Sequence, residues 1–299
     1  MMRSPLSKAF IIPVILGCTI WFSACSAKIP VGKYAALKDS SQSVLNNTTD
    51  TYTRIEKLQR YYLILTAPDK PIDRDTFKPH IVKGKRYDIV PELRFREAAF
   101  EVLVKYVTVL YGLSSKDYVS DVDKASQELA GSLKNLMETS KMLSTSDAAL
   151  ASAIFGTLVN VIGRQIVERK RLEALKTVMD FAQNDLEKLS GLIGASNEKI
   201  KDWVELRVQP IITYANGTRP SYKSPERYQF DQNIAERLAE IEEIKSSLDG
   251  MNQAISKIPE AHLAIRMELY NMQPSMEALQ ALIQEADRSM KFYRDLSKE

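Results

Sequence analysis

Apolar and small side chains recur along this chain at alternating steps of three and four. Val44, Thr48, Thr51, Ile55, Leu58, Tyr62 and Leu65 form one such row within residues 34–66. The same rhythm returns in Tyr118, Val122, Ala125, Leu129, Leu133 and Leu136, and again in Ile241, Ile244, Leu248, Met251, Ile255 and Ile258. A helix turns once in ~3.6 residues, so each row lies on one face, the heptad signature of helices packed at shallow angles. Charges of both signs fill the other faces. Residues 91–113 differ: Leu93, Phe95, Phe100, Leu103, Val104, Val107 and Leu110 surround the helix, which predicts a place near the middle of a bundle. Residues 259–296 read as a further helix opened by Pro259 and bent at Pro274, where proline removes a backbone donor. The expected fold is all-α: an elongated bundle of long antiparallel helices with coiled-coil-like seams and two irregular loops.

Those loops are the stretches where the helical pattern fails. Residues 67–90 are rich in proline and charge, with His80-Ile81-Val82 and Tyr87-Asp88-Ile89-Val90 placed to flank a Lys83-Gly84-Lys85-Arg86 turn. Residues 209–227 hold Pro210, Asn216-Gly217, Pro220 and Pro225 among three tyrosines. Loops carry recognition more often than packed faces do, so His80, Lys85, Arg86, Tyr87, Tyr214, Arg219 and Tyr222 are the candidate partner-binding residues; the plainer reading is a pair of long connections.

The two ends of the first 25 residues bring in localisation. Arg3 and Lys8 precede a stretch, Ala9 to Ala24, without any charge. Its apolar part is about 14 residues, ~21 Å as a helix, short of the ~30 Å hydrocarbon core a permanent span must cross. The segment therefore reads as a signal to be removed. Phe22-Ser23-Ala24-Cys25 follows, and it resembles the lipobox of bacterial lipoproteins: a bulky apolar residue, two small ones, then the cysteine whose thiol takes the lipid. A second match, Ile15-Leu16-Gly17-Cys18, leaves too short an apolar region before the cut, so Cys25 is preferred; an ordinary secretory signal is the alternative. The resemblance implies a signal peptide over 1–24, a lipidated Cys25 with a tether over 25–33, and one helical domain over 34–299. Ser26, where an aspartate would retain the protein at the inner membrane, is similar to lipoproteins passed to the outer membrane, with the bundle facing the periplasm. Membrane lipid would then be one partner, and a protein of the envelope or a second copy of the chain another.

Composition narrows the chemistry. Beyond residue 24, Cys25 is the remaining cysteine, so neither a disulfide within the chain nor a cysteine metal site is expected. Removing Arg3 and Lys8 takes the net charge from +3 to about +1, which gives no electrostatic case for nucleic acid. The two histidines, His80 and His262, lie far apart, without ligand spacing. Ser196-Asn197-Glu198-Lys199 fits S-x-x-K, yet its companion motifs are missing, and Ser196 reads as a helix N-cap. Glu240, Glu242 and Glu243 read as a solvated face near Lys245. No cofactor, metal or enzymatic activity is expected.

Residues 148–163 are uncharged, with small residues four apart. A helix buried within the bundle is the plainer account. The sharper one is a concealed membrane-active element carrying Ile154, Phe155, Leu158 and Val159, by analogy with the apolar heads of helical pore-forming cytolysins. The function expected from all this is non-enzymatic binding or scaffolding by an anchored lipoprotein, with membrane perturbation as the alternative.

Overall fold

A computed structural model of the 299-residue chain describes residues 29–65, 81–82, 85–86, 89–115, 118–140 and 171–296. The described helices are α1 (Val31–Leu65), α2 (Val90–Ser114), α3 (Tyr118–Ser140), α4 (Arg171–Glu205), α5 (Val208–Thr218), α6 (Glu226–Leu269) and α7 (Glu277–Leu296). They pack as a bundle, and α6 with its 44 residues is ~66 Å long.

Side-chain pairs give the helix directions. The Tyr34 hydroxyl meets the Met179 sulfur at 3.2 Å, and the Tyr52 hydroxyl donates to Asn197 Oδ1 at 2.9 Å, so α1 and α4 run parallel. Lys201 pairs with Asp249 while Gln183 Nε2 donates to the Pro259 carbonyl, so α6 is antiparallel to both. Helix α2 runs against α1 and α4, with Thr49 donating to Glu97 and the Lys38 ammonium over the Tyr111 ring. Helix α3 lies antiparallel on α2 through Lys105–Glu128 and Ser132–Glu101. After a turn, α7 packs on α6 and α1.

The seams are buried as their spacing predicts. Ile241, Ile244, Leu248, Met251, Ile255 and Ile258 all face the core, as do Val44, Thr48, Thr51, Ile55 and Leu58. The all-round apolar α2 is central: Phe100, Leu103, Tyr106, Val107 and Leu110 are sealed from solvent among α1, α3 and α4. Gly112 brings α3 close, because a Cβ there would sit 3.3 Å from the backbone of Asp121 and Val122.

Five expectations need correction. Pro259 does not open a helix; it lies inside α6, and the chain breaks instead over residues 270–276, which hold Pro274. Interior proline is accommodated because its missing N–H frees the Ile255 carbonyl, which accepts from Ser190 Oγ at 2.8 Å on α4. Asn271, at φ 58°, makes the left-handed step that ends the helix, a conformation asparagine tolerates. Ser196 is no N-cap, since α4 runs through it and its buried hydroxyl accepts from Arg96 Nε on α2. Glu240 and Glu243 are not merely solvated; both meet Arg54 of α1.

The proposed hairpin forms with a different register. Strand β1 (Ile81–Val82) pairs antiparallel with β2 (Lys85–Arg86), Ile81 opposite Arg86 and Val82 opposite Lys85. Only Lys83-Gly84 separates the strands, the two-residue spacing that hairpins favour. Ile89 and Val90 are therefore the entry to α2, with Pro91 in its first turn, and belong to no strand. Residues 209–227 are the fifth correction, taken up below.

Candidate functional site

The C-terminus of α1, the α4–α5 turn and the N-terminus of α6 meet at one end of the bundle. Helix α4 stops at Glu205, where Pro210, four residues after Leu206, cannot donate to the Leu206 carbonyl. A new helix starts at once, since a proline in a first turn removes an N–H that has no intrahelical partner anyway. Residues 209–227 are thus mostly not an irregular loop: α5 covers Val208–Thr218 and a 3-10 turn covers Arg219–Ser221. The Asn216-Gly217 turn signal is overridden by burial, because Ile211 and Ala215, one turn apart, both face inward.

Aromatic rings and arginines make up this end. The Arg207 guanidinium sits between two rings, 4.3 Å from the centroid of Tyr62 and 4.0 Å from that of Trp203. Arg237 of α6 covers Tyr61 at 5.1 Å. Each is a cation held against a ring's negative face. Phe230 lies 4.9 Å from the Tyr222 ring and 6.3 Å from that of Tyr214. Asp231, the next residue, accepts two bonds from Arg219, at 2.7 and 2.8 Å.

The charges differ in what they have left to give. The hydrogen bond to Asp231 raises the Arg219 pKa and, from the other side, that from Arg219 lowers the carboxyl of Asp231. Arg237 is likewise engaged, with Glu240, and Arg227 donates to the Tyr222 carbonyl. Arg207 is held by rings instead: burial lowers its pKa, and its Nε, shut away from solvent, has no hydrogen-bond partner. Beside it Leu206 is 68% exposed, and Tyr228 on α6 is 65% exposed.

Of the sequence-derived candidates, Tyr214, Arg219 and Tyr222 come together in this cluster. Their part is largely structural, because all three are spent on Phe230 and Asp231. Lys85 and Arg86 are in β2, with side chains outside the described residues. His80, Tyr87, Cys25 and the segment with Ile154, Phe155, Leu158 and Val159 also lie outside them. Sequence reasoning missed Trp203 and Arg207 altogether. Their i,i+4 spacing, which sets a guanidinium over an indole on one helix face, was the available signal.

Elsewhere, an open cleft of about 430 Å³ lies between α1, α2 and α3, lined in part by Gln42, Asn46, Arg94, Glu97 and Asn135. Its charges are engaged with one another or with neighbours: Glu97 with Thr49 and Arg94, Arg94 also with Glu56. His262 is sealed in the core. Its Nδ1 faces Gln183 Oε1 at 2.7 Å, so Nδ1 carries the proton and Nε2 accepts from the Tyr106 hydroxyl at 2.9 Å. Burial first, and then the Arg266 charge, lowers its pKa to about 3. Among the described residues no cluster of His, Cys, Asp and Glu could hold a metal, and no helix is long and apolar enough to cross a membrane. No protein-family model, no curated protein and no solved structure matches this chain.

Proposed function

We propose that the chain is a lipid-anchored lipoprotein of the bacterial envelope, held in the outer membrane and facing the periplasm, that binds a protein partner without enzymatic chemistry. The observation that carries this reading is that the Trp203–Arg207–Tyr62 cluster sits at the C-terminal end of α1. That helix begins six residues after the expected lipidation site, Cys25, and ends at the cluster. Tyr34 and Tyr62 are separated by 28 residues, ~42 Å of helix. An anchor at one end would hold the other well clear of its own bilayer. Tryptophan, tyrosine and arginine are also the residue types that dominate protein interfaces; the exposed Leu206 adds apolar surface beside Arg207, and the exposed Tyr228 adds more in the first turn of α6, next to Phe230 in sequence.

Two experiments separate the parts of this proposal. Cys25→Ser is expected to release the protein from the membrane fraction, and unchanged retention would remove the anchor. The native chain, cross-linked in its own cells, is expected to yield an envelope protein as product. A Leu206→Asp/Tyr228→Asp chain should give at least tenfold less of it. An undiminished product from a folded variant would move the interface elsewhere on the bundle.

A further inference from the structure

We infer that the opposite end of the bundle, where Phe181, Tyr270 and Met272 stand exposed, rests on the lipid surface to which the chain is tethered. This builds on the anchor reading above, which supplies the membrane, and adds which surface faces it. Among the described residues seven large apolar side chains are well exposed: Ile64, Met137, Phe181, Leu206, Tyr228, Tyr270 and Met272. Leu206 and Tyr228 belong to the cluster end already assigned. Phe181 at 58%, Met272 at 54% and Tyr270 at 40% belong to the other.

Contacts bring these three to one place. The Tyr270 hydroxyl donates to Asp180, the residue before Phe181, and Met272 follows Tyr270 in the same turn, its N–H bonded to the Met267 carbonyl. Helix α1 starts at the same end: Lys33 pairs with Glu268, two residues before Tyr270, and Tyr34 meets Met179, two residues before Phe181. Val31 is six positions beyond Cys25, at most about 20 Å of extended chain. A lipid on Cys25 therefore cannot hold this patch far from the bilayer surface.

Side-chain type and the nearness of the tether favour lipid over a second protein. Tyrosine, phenylalanine and methionine beside cations suit the boundary between headgroups and acyl chains. The cations are already paired, Lys176 with Glu173 and over the Tyr270 ring, Arg266 with Asp180, and Lys33 with Glu268. The contact is accordingly apolar and does not depend on anionic lipid.

Depth-dependent fluorescence quenching tests it. Once residues 1–24 are gone, Trp203 is the remaining tryptophan, 22 residues and ~33 Å along α4 from Phe181. The native lipidated chain and its Phe181→Trp and Met272→Trp variants are reconstituted into phosphatidylcholine vesicles with brominated acyl chains. Flotation first reports whether the chain is anchored. With flotation, at least twofold quenching of the added tryptophan and none of Trp203 supports the inference. Flotation with the added tryptophans unquenched overturns it and leaves the anchor intact; quenching of Trp203 instead reverses the orientation. A chain that does not float removes the anchor, and this inference with it. Two sites are used so that a misfolded variant at one does not decide the outcome.

Discussion

A single buried histidine sets a pH dependence that can be calculated by sign. His262 is neutral in the folded protein because burial penalises its charged form, with a pKa of about 3 against 6.5 for the free side chain. The unfolded chain therefore takes up the proton first as pH falls. Stability is whole above pH 6.5 and is lost progressively toward pH 3, at up to about 1.4 kcal/mol per pH unit. The interval from pH 6.5 to 4.5 lies within this window. In that interval melting of the wild-type chain should fall more steeply than that of His262→Gln; parallel curves would show that the ring stays neutral for no energetic reason. At this scale little was legible in advance. Nothing local to His262 names Tyr106 or Gln183, which packing brings from 156 and 79 residues away. Arg207 escaped for the same reason: half of its cage, Tyr62, comes from α1.

At the scale of elements, the pairing of α4 with α6 turns on one missing N–H. Pro259 leaves the Ile255 carbonyl without its intrahelical donor, and Ser190 supplies another. Ser190→Ala should cost roughly 1–3 kcal/mol, the penalty for a buried acceptor without a partner. Pro259→Ala restores the intrahelical bond, so in that background the same serine change should cost less than half as much. Equal costs in the two backgrounds, from denaturant melts of the four chains, would mean the two residues are uncoupled. A second element, α5 with its 3-10 turn, is fastened to α6 from outside by Arg219–Asp231. Asp231→Ala should leave the melting temperature unchanged while amide exchange over residues 208–221 quickens; unaltered exchange there would assign the fastening to Ile211 and Phe230 alone. The heptad rows were legible because burial of one face writes its period into the chain. The errors came where a local signal met a tertiary answer. Pro259 looked like a start but had a partner helix to accept its defect, and Asn216-Gly217 looked like a turn but stood in a helix held by Ile211.

For the molecule as a whole, the packing pattern predicts unequal stability. Helix α6 packs on both α1 and α4, those two meet through the side-chain pairs Tyr34–Met179 and Tyr52–Asn197, and α2 adds its all-round apolar surface between α1 and α4. Helix α3 is different: its described packing is chiefly on α2, through Val122, Ala125, Leu129, Ser132 and Leu136 on a single face. Detaching it exposes that one stripe and the side of α2 beneath, whereas removing α4 would open the core from end to end. Partial opening is therefore cheapest at α3, and native-state amide exchange should show its amides exchanging at a lower free energy than those of α2, α4 and α6. Leu129→Ala, at a cost of about 2–5 kcal/mol for a buried leucine, should deepen that difference and speed exchange in α3 without doing so in α4. Exchange of α3 only together with the whole bundle would show that the seven helices unfold as one unit. The two ends assigned to lipid and partner are joined by α1, α4 and α6, with α3 outside that shaft, so opening α3 should change neither the quenching at residue 181 nor the cross-link made at Leu206 and Tyr228.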